Sequence, residues 1–342
     1  MKTMSRRERI RAALNREPVD RVPYAVWRHF PAVDRSPAGL AQATLRFHER
    51  YGSDFLKITP AGGYAVEAWG CVEGDEVLPD GHRACARHAI RDAADWTTIR
   101  PLDPESAPGY AEQLETVVRL GFDRRIGDAP VVPTVFSPLS LARKLSGDRL
   151  NADLTSHPEL VLSALEAITD TLIRFAERAL TEGLAGIFYS IQAASRTFHT
   201  EEEYARFGEP FDRRFLDAIA ARSTLTIIHA HGRDLMFDRL AQLPGHAWNW
   251  DDRQTAPSLQ QASAMVPGAV IGGLNQWRTL RDGTPDTVVA EVQDALEQTK
   301  GRGFIAGPGC VLAMKTPDAN IAAMIRELGA PITPLPKSIE DF

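Results

Sequence analysis

Short apolar segments recur along the chain, each followed by a turn signal and then by a longer helical period. Eight of them predict strands, at residues 22–28, 55–60, 130–137, 186–192, 225–231, 247–252, 269–275 and 304–310. Helical periodicity predicts helices at residues 157–182, 201–222 and 284–300. This alternation predicts an α/β fold with a parallel sheet, and eight repeats match a single closed (β/α)8 TIM barrel.

Residues 61–129, between the second and third predicted strands, fit the alternation less well. We expect an insertion there, a small hairpin plus a helix near the barrel mouth, where loops commonly shape an active site. No linker or low-complexity segment divides the chain, so residues 1–342 are expected to form one domain. A doubly wound open sheet is the alternative, although no G-x-G-x-x-G follows an early strand.

Composition narrows the class of partner. The chain has 342 residues, a net charge of -6 and 25% charged residues, which is ordinary for a globular protein. The acidic balance argues against nucleic-acid binding, because phosphate affinity comes mainly from Lys and Arg. A small-molecule substrate is expected instead, and the basic run at residues 5–11 is interpreted as the solvated face of an amphipathic helix.

Cysteine usage and apolar run lengths indicate the compartment. Three cysteines, Cys71, Cys85 and Cys310, are too few and too uneven for a disulfide framework, which predicts a reducing environment. The chain starts without an apolar signal segment, and no run approaches the roughly 18 apolar residues of a membrane span. We therefore expect a cytoplasmic protein that does not associate with membranes.

Polar residues gather at the carboxyl ends of the predicted strands, where active sites of such barrels are built. They are Arg28, His29, Lys57, Thr59, Ser137, Ser190, Gln192, His229, His231, Asp251, Asp252, Asn275 and Cys310. A single polar residue at a strand end can equally cap a helix or bond to a loop. Asp251 and Asp252, which precede a turn, fit this interpretation best. The constellation as a whole predicts a site at the barrel mouth.

Two histidines of the fifth predicted strand have metal-ligand spacing. His229 and His231 are two residues apart and project to the same side of a strand, with Cα atoms about 6.6 Å apart. Cys310 on the eighth strand would complete a three-ligand set with one open position, as in catalytic zinc sites. Nitrogen and sulfur donors favour zinc over magnesium or calcium. Alternatively, the histidines bond carbonyls or substrate without a metal, and Cys310 is an inert buried thiol.

Three stretches resemble the uroporphyrinogen decarboxylase superfamily. They are "MSRRERIRAALNREPVDRVPYAVW", "YGSDFLKITP" and "GFIAGPGCVLAMKTPDANIAAMIREL", and the resemblance covers nearly the whole chain. It implies a (β/α)8 barrel. The superfamily includes the haem-pathway decarboxylase and zinc-dependent methyltransferases that act with corrinoid proteins, and its members are often dimers, so a homodimer is an expectation.

The chain departs from both branches of that superfamily. The decarboxylase has R-Q-A-G-R-Y after its first strand and a terminal L-G-H-G, whereas this chain has "WRHFPAVDRSP" and Cys310, which argues against a polyanionic tetrapyrrole substrate. The methyltransferase branch binds zinc through H-x-C and a terminal G-x-x-C. His229 and Cys310 match that pattern, but His231 replaces its cysteine, and one thiolate fewer makes a bound ion a better Lewis acid.

The leading hypothesis is a zinc-dependent methyltransferase in which a substrate thiol loses its proton at the open metal position. The thiolate would attack a methyl group held by a corrinoid protein, a folate or another donor, and the sequence leaves this choice open. Arg28, Lys57 and Arg196 are candidates to hold an anionic substrate, and Ser190, Gln192 and Asn275 to orient it.

Three other functions remain open on sequence alone. A metal-free lyase or decarboxylase would use Arg28, His29 and Lys57 as its electrostatic site. A carrier would hold a corrinoid or tetrapyrrole without turnover, although the chain lacks the D-x-H-x-x-G corrinoid motif. Amidohydrolases also use H-x-H, but on the first strand and with an aspartate on the eighth, which this chain does not match.

Overall fold

A parallel sheet organises the chain in the computed structural model, which describes residues 3–121 and 123–331. Within these ranges the strands are β1 (Leu56–Ile58), β2 (Val72–Val77), β3 (Arg83–Arg87), β4 (Val131–Phe136), β5 (Phe188–Ile191), β6 (Ile227–Ala230), β7 (Ala247–Asn249), β8 (Ala269–Leu274) and β9 (Phe304–Pro308). Seven of them form one sheet in the order β1-β4-β5-β6-β7-β8-β9, and every neighbouring pair is parallel. The predicted α/β class with a parallel, TIM-like sheet is confirmed.

Helices separate most of the strands along the chain. They are α1 (Arg6–Leu14), α2 (Pro37–Tyr51), α3 (Tyr110–Gly121), α4 (Pro138–Ser146), α5 (Arg149–Ser156), α6 (Pro158–Thr181), α7 (Glu201–Phe207), α8 (Glu209–Ile219), α9 (Phe237–Leu240), α10 (Leu259–Met265), α11 (Pro285–Thr299) and α12 (Asp318–Glu327). Thr284 caps α11 through its side chain, as its position before Pro285 predicts. None of the helices in the described ranges is long and apolar enough to cross a membrane.

The first predicted strand, at residues 22–28, is wrong as a regular strand. Tyr24 makes a single parallel bridge to Ala306 of β9, and its carbonyl accepts from the Asp54 amide just before β1 at 2.8 Å. The Tyr24 and Val26 amides donate to the side chains of Asp54 and Ser53 rather than to a neighbouring strand. The segment therefore lies between β9 and β1. On the side of β1, hydrogen bonds to side chains replace those of a regular β-ladder.

A buried charge network holds α1 beside that segment. Arg9 is 5% exposed and donates to Asp20 and to Asp54, which is fully buried. Arg21 also donates to Asp54. The interpretation of residues 5–11 as a solvated face is thus wrong at Arg9, because the guanidinium is needed to neutralise a buried carboxylate.

Alternation along the strands separates the barrel interior from the outer layer. Ile227 packs in an inner cluster with Phe188 and Ile271, whereas Ile228 and Ala230 belong to the larger cluster that the sheet forms with the helices. Because side chains alternate along a strand, His229 lies on the same face as Ile227. The interior is therefore apolar at its base and polar at the carboxyl ends of the strands.

Residues between β1 and β4 form the antiparallel hairpin β2–β3, a 3-10 helix at Ala93–Thr98 and then α3. The turn of the hairpin approaches the loops at the carboxyl ends of the strands. The Met314 amide donates to the Pro79 carbonyl at 2.9 Å. Gly81 lies so close to His29 and Met314 that a Cβ there would be 2.8 Å from each side chain.

Candidate functional site

The side chains of His229, His231 and Cys310 converge where β6 and β9 end. One ligand atom from each residue lies within 4.8 Å of the other two. The Cys310 Sγ is 3.7 Å from His229 Nε2 and 3.6 Å from His231 Nδ1. The structure thus brings together the three residues that the sequence predicts as metal ligands.

These separations suit a tetrahedral metal ion. Zinc bonds of about 2.3 Å to sulfur and about 2.1 Å to nitrogen, at a tetrahedral angle, place the two donor atoms about 3.6 Å apart. Both measured sulfur-to-nitrogen distances, 3.7 and 3.6 Å, match that edge length. The donor set and its spacing therefore fit zinc with one position left for another ligand.

Asn249 on β7 orients His229. Its amide nitrogen donates to the Ile271 and Pro308 carbonyls at 3.0 and 3.2 Å, so its Oδ1 is the atom that accepts from His229 Nδ1, at 2.6 Å. The proton on Nδ1 leaves the lone pair on Nε2, the nitrogen that faces Cys310. This is the second contact that metal-binding histidines usually have.

Accessibility differs among the three residues. His229 is buried, Cys310 is half-buried and His231 has an exposed edge. Desolvation by the surrounding side chains, together with the positive charge of Lys144, lowers the pKa of His231. A lowered pKa keeps the imidazole neutral, which is the form that binds metal.

Lys57 lies on the same inner face as the cluster. The side chain is buried, donates to Thr59 Oγ1 at 3.1 Å and lies over the ring of Phe188, which also contacts His229. Burial lowers the pKa of Lys57 to about 7, although the nearby Cys310 opposes this effect. The amine can therefore gain or lose a proton near neutral pH.

Arg28 and His29 lie beside the hairpin turn. The Arg28 guanidinium donates to the Met314 sulfur at 3.2 Å, and burial lowers the pKa of Arg28. Burial, with the charge of Lys57 added to it, lowers the pKa of His29 to about 3. His29 Nδ1 is buried without a hydrogen-bond partner among the described residues. The imidazole is therefore neutral over the whole physiological range.

A cavity of about 670 Å³ opens between the β2–β3 hairpin and α4. The hairpin contributes Cys71 and Glu73, α4 contributes Arg143 and Lys144, and Gln192 lines the cavity from the end of β5. Its volume is in the range of small-molecule sites. The cavity is thus a candidate substrate site, and Gln192 connects it with β5, the strand next to that of His229.

The remaining predicted substrate-binding residues have different settings. Ser190 is buried on β5 and pairs in register with His229. The side-chain oxygen of Asn275 accepts from two amides of the following turn. Arg196 forms ion pairs with Glu201 and Asp234. The structure therefore places Ser190 beside the cluster, whereas Asn275 and Arg196 are engaged in local contacts.

Two features of the site are absent from the sequence predictions. Asn249 lies within the predicted strand at 247–252, and its inward register could have identified it. Arg143 and Lys144 lie on α4, outside the strand ends, where sequence reasoning did not search. Their place in the cavity depends on how the hairpin folds back over α4.

Comparisons with known proteins agree with this architecture. The profile of the family "Uroporphyrinogen decarboxylase (URO-D)" matches residues 5–330. A methylcobamide:CoM methyltransferase MtbA from Methanosarcina mazei is 22% identical over 334 residues, covering 93% of this chain and 96% of the relative. A uroporphyrinogen decarboxylase from Anaeromyxobacter dehalogenans is 25% identical over 349 residues, with the same coverage of 93% and 96%.

Among solved structures, a methyltransferase from Methanosarcina mazei has the same fold. It superposes with a TM-score of 0.79 at 20% identity, covering 95% of this chain and 98% of that one. The family profile spans nearly all of the described residues, including the three that form the cluster. The chain belongs to the uroporphyrinogen decarboxylase (URO-D) family.

Proposed function

We propose that this protein is a zinc-dependent methyltransferase that transfers a methyl group to a small thiol. The observation that carries the proposal is the donor set of His229, His231 and Cys310, in which both sulfur-to-nitrogen distances match the edge of a zinc tetrahedron. The name of the Methanosarcina mazei relative, a methylcobamide:CoM methyltransferase, supports the same class of reaction.

The three side chains would hold zinc through His229 Nε2, His231 Nδ1 and the Cys310 thiolate. Bound there, zinc supplies an open coordination position at which a substrate thiol is deprotonated at neutral pH. Asn249 holds the His229 ring in the orientation and tautomer that ligation requires. His231, the most exposed of the three, would be the ligand nearest to solvent.

Methyl transfer to a thiol releases the thiol proton, and Lys57 Nζ is the group that we assign to receive it. With a pKa of about 7, the amine is partly neutral at physiological pH and can accept a proton. Phe188 packs against both Lys57 and His229 and keeps water from the inner side of the site. Ser190 and Gln192 are positioned to contact the substrate.

The methyl donor that we propose is a corrinoid carried by a separate protein, since the methyltransferase relative is named for methylcobamide. A lyase that acts without metal on a small carboxylate is the second candidate. The decarboxylase relative and the electrostatic site formed by Arg28, His29 and Lys57 favour it.

Metal analysis of purified protein tests the proposal. We expect one zinc per chain in the wild type and loss of that zinc in His229→Ala and Cys310→Ser. Cys85→Ser removes a cysteine outside the cluster and should keep the zinc. Wild-type protein without stoichiometric zinc, or cluster variants that retain it, would contradict the assignment and favour the lyase.

A further inference from the structure

We propose that the cavity between the β2–β3 hairpin and α4 binds an organic ligand through one anionic group, a carboxylate, sulfonate or phosphate, held by Arg143 and Lys144. Its identification as the anionic end of the acceptor thiol rests on the proposed function, whereas the anion site itself does not. The cavity wall carries four Arg and Lys side chains, and they differ in how far the protein already neutralises them.

Arg83 and Arg35 in the cavity wall have little unbalanced charge. Arg83 is buried and forms ion pairs with the buried carboxylate of Asp34 at 3.1 Å and with Glu73 at 3.4 Å. Arg35 is half exposed to solvent and pairs with Asp75 at 3.3 Å and with Glu73 at 3.8 Å. Carboxylates therefore neutralise Arg83, and water screens the charge of Arg35, so neither guanidinium attracts a ligand strongly.

Arg143 and Lys144 are not neutralised in the same way. Arg143 has one carboxylate within reach, that of Asp148, at 3.7 Å and fully exposed to solvent, and such surface pairs contribute little. Its Nη1 is buried without a hydrogen-bond partner in the part of the chain that the structure describes. The Lys144 ammonium lies over the ring of Phe136 at 4.7 Å, and no ion pair to it occurs within residues 3–121 and 123–331.

A partly buried cation without a close buried carboxylate is unfavourable. Burial lowers the pKa of both Arg143 and Lys144, and the charges of Asp148 at Arg143 and of Glu73 at Lys144 oppose this effect only in part. An anionic ligand group would supply the missing charge and accept the free N–H donors. Both side chains line the same cavity, so one ligand that fills it can contact both.

The rest of the wall limits the ligand to few negative charges. Glu67 and Glu112 also line the cavity. Burial raises the pKa of Glu112, and the negative charge of Glu67 raises it further. A polycarboxylate would face these like charges. Ala61 and Val66 offer apolar surface in the same cavity. The fitting ligand therefore has one anionic end and a largely uncharged body.

Gln192 connects the cavity with the strands that carry the cluster. It lines the cavity from the end of β5, and β5 pairs with β6, the strand of His229. A ligand anchored at Arg143 and Lys144 therefore lies in a cavity that reaches the end of β5, next to the strand of His229. On the proposed function, this ligand is the acceptor thiol, and its anionic end is held by the two cations.

Matched thiols test this site by isothermal titration calorimetry on the zinc-loaded protein. The probes are 3-mercaptopropionate, 2-mercaptoethanol and cysteamine, which carry negative, neutral and positive ends. We expect the anionic thiol to bind about tenfold tighter than the neutral one, and Lys144→Met and Arg143→Met to remove most of that preference. The neutral thiol should bind the variants as it binds the wild type, which shows that they remain folded.

Two variants sharpen the comparison. Lys144→Arg keeps the charge and should keep the preference for the anionic thiol. Arg35→Met removes a cation of the same cavity wall that is already paired with Asp75, and should leave the preference unchanged. Equal binding of anionic and neutral thiols to the wild type, or a preference that survives in the Arg143→Met, Lys144→Met double variant, overturns the proposal.

A metal-free arm separates this inference from the proposed function. Butyrate is titrated into metal-free protein, and binding that depends on Lys144 supports the anion site. Cobalt-substituted protein is then mixed with 3-mercaptopropionate, where a sulfur-to-cobalt absorption band reports a thiolate on the metal. If butyrate binds but the band is absent, the thiol methyltransferase assignment is wrong and the anion site stands. If the band appears but butyrate binding does not depend on Lys144, the anion site is wrong and the assignment stands.

Discussion

The Asn249 side-chain oxygen lies 2.6 Å from Nδ1 of His229, and the Asn249 amide nitrogen is fixed at the same time by two backbone carbonyls. This contact determines which ring nitrogen of His229 faces Cys310. The orientation of a metal ligand therefore depends on a residue of the neighbouring strand that itself contributes no donor atom to the cluster.

Replacement of Asn249 by leucine should lower zinc affinity by about 10- to 100-fold, because His229 loses its orienting acceptor. Competition with a chromophoric zinc chelator measures the affinity. Asn320→Leu is the matched control, since Asn320 is also buried and donates to two carbonyls, those of Leu280 and Gly283. If Asn249→Leu and Asn320→Leu bind zinc with equal affinity, the hydrogen bond between Asn249 and His229 does not contribute to zinc binding.

Exchange of His231 tests whether this residue is a ligand. His231→Cys should retain zinc because a thiolate replaces one nitrogen donor, whereas His231→Ala should bind zinc markedly more weakly. The same chelator competition reports both variants. If His231→Ala binds zinc as tightly as the wild type, the ion is held by other groups and the tetrahedral assignment is wrong.

Removal of the buried carboxylate of Asp54 should destabilise the fold strongly. Asp54→Ala leaves the guanidinium groups of Arg9 and Arg21 without their shared partner, and breaking a buried ion pair in this way costs about 3–5 kcal/mol. Urea unfolding measures the free energy of unfolding. Asp282→Ala removes an exposed pair with Arg281 and should leave that energy nearly unchanged. A similar loss of unfolding free energy in both variants would contradict the expectation that the buried ion pair matters more than the exposed one.

Asp212 should make stability fall as pH rises. Burial raises the pKa of Asp212 from 3.8 to about 7, and the hydroxyls of Tyr189 and Tyr204 each lie 2.7 Å from its carboxyl oxygens. Between these two pKa values the unfolded chain loses the proton while the folded chain keeps it, so the free energy of unfolding decreases with pH and the penalty is complete above about 7.

Asp212→Asn removes this titration and keeps groups that can bond both tyrosines. Urea unfolding at several pH values from about 4 to about 8 should show the variant gaining stability relative to the wild type as pH rises. A difference that stays constant over that range would mean that Asp212 does not titrate there in the folded protein.

Local pattern is sufficient for seven of the eight predicted strands and for the histidine pair. Strand alternation puts His229 and His231 on one face because Ile228 and Ala230 pack outward, and Cys310 lies at the end of the last strand, as predicted, where its sulfur meets the pair. These features depend on residues close together in sequence, or on the general rule that parallel strands end at one edge.

Features that depend on distant partners could not be read from the pattern. The segment at 22–28 has the composition of a strand, but the side chains of Ser53 and Asp54 take two of its amides. Arg9 stands in a basic helix that looks solvated until Asp54 is placed beside it. Arg196 follows a strand end, yet Glu201 and Asp234 bind its guanidinium.

The contact between Tyr24 and Ala306 also constrains the order in which the molecule can be completed during synthesis. The segment around Tyr24 leaves the ribosome long before β9, so the backbone groups that pair with Ala306 stay unpaired until β9 is synthesised. Until then the nascent chain presents an unpaired sheet edge, which is a template for intermolecular aggregation. The side chains of Asp54 and Ser53, which are synthesised well before β9, bind the Tyr24 and Val26 amides, so fewer backbone groups stay unpaired in that interval.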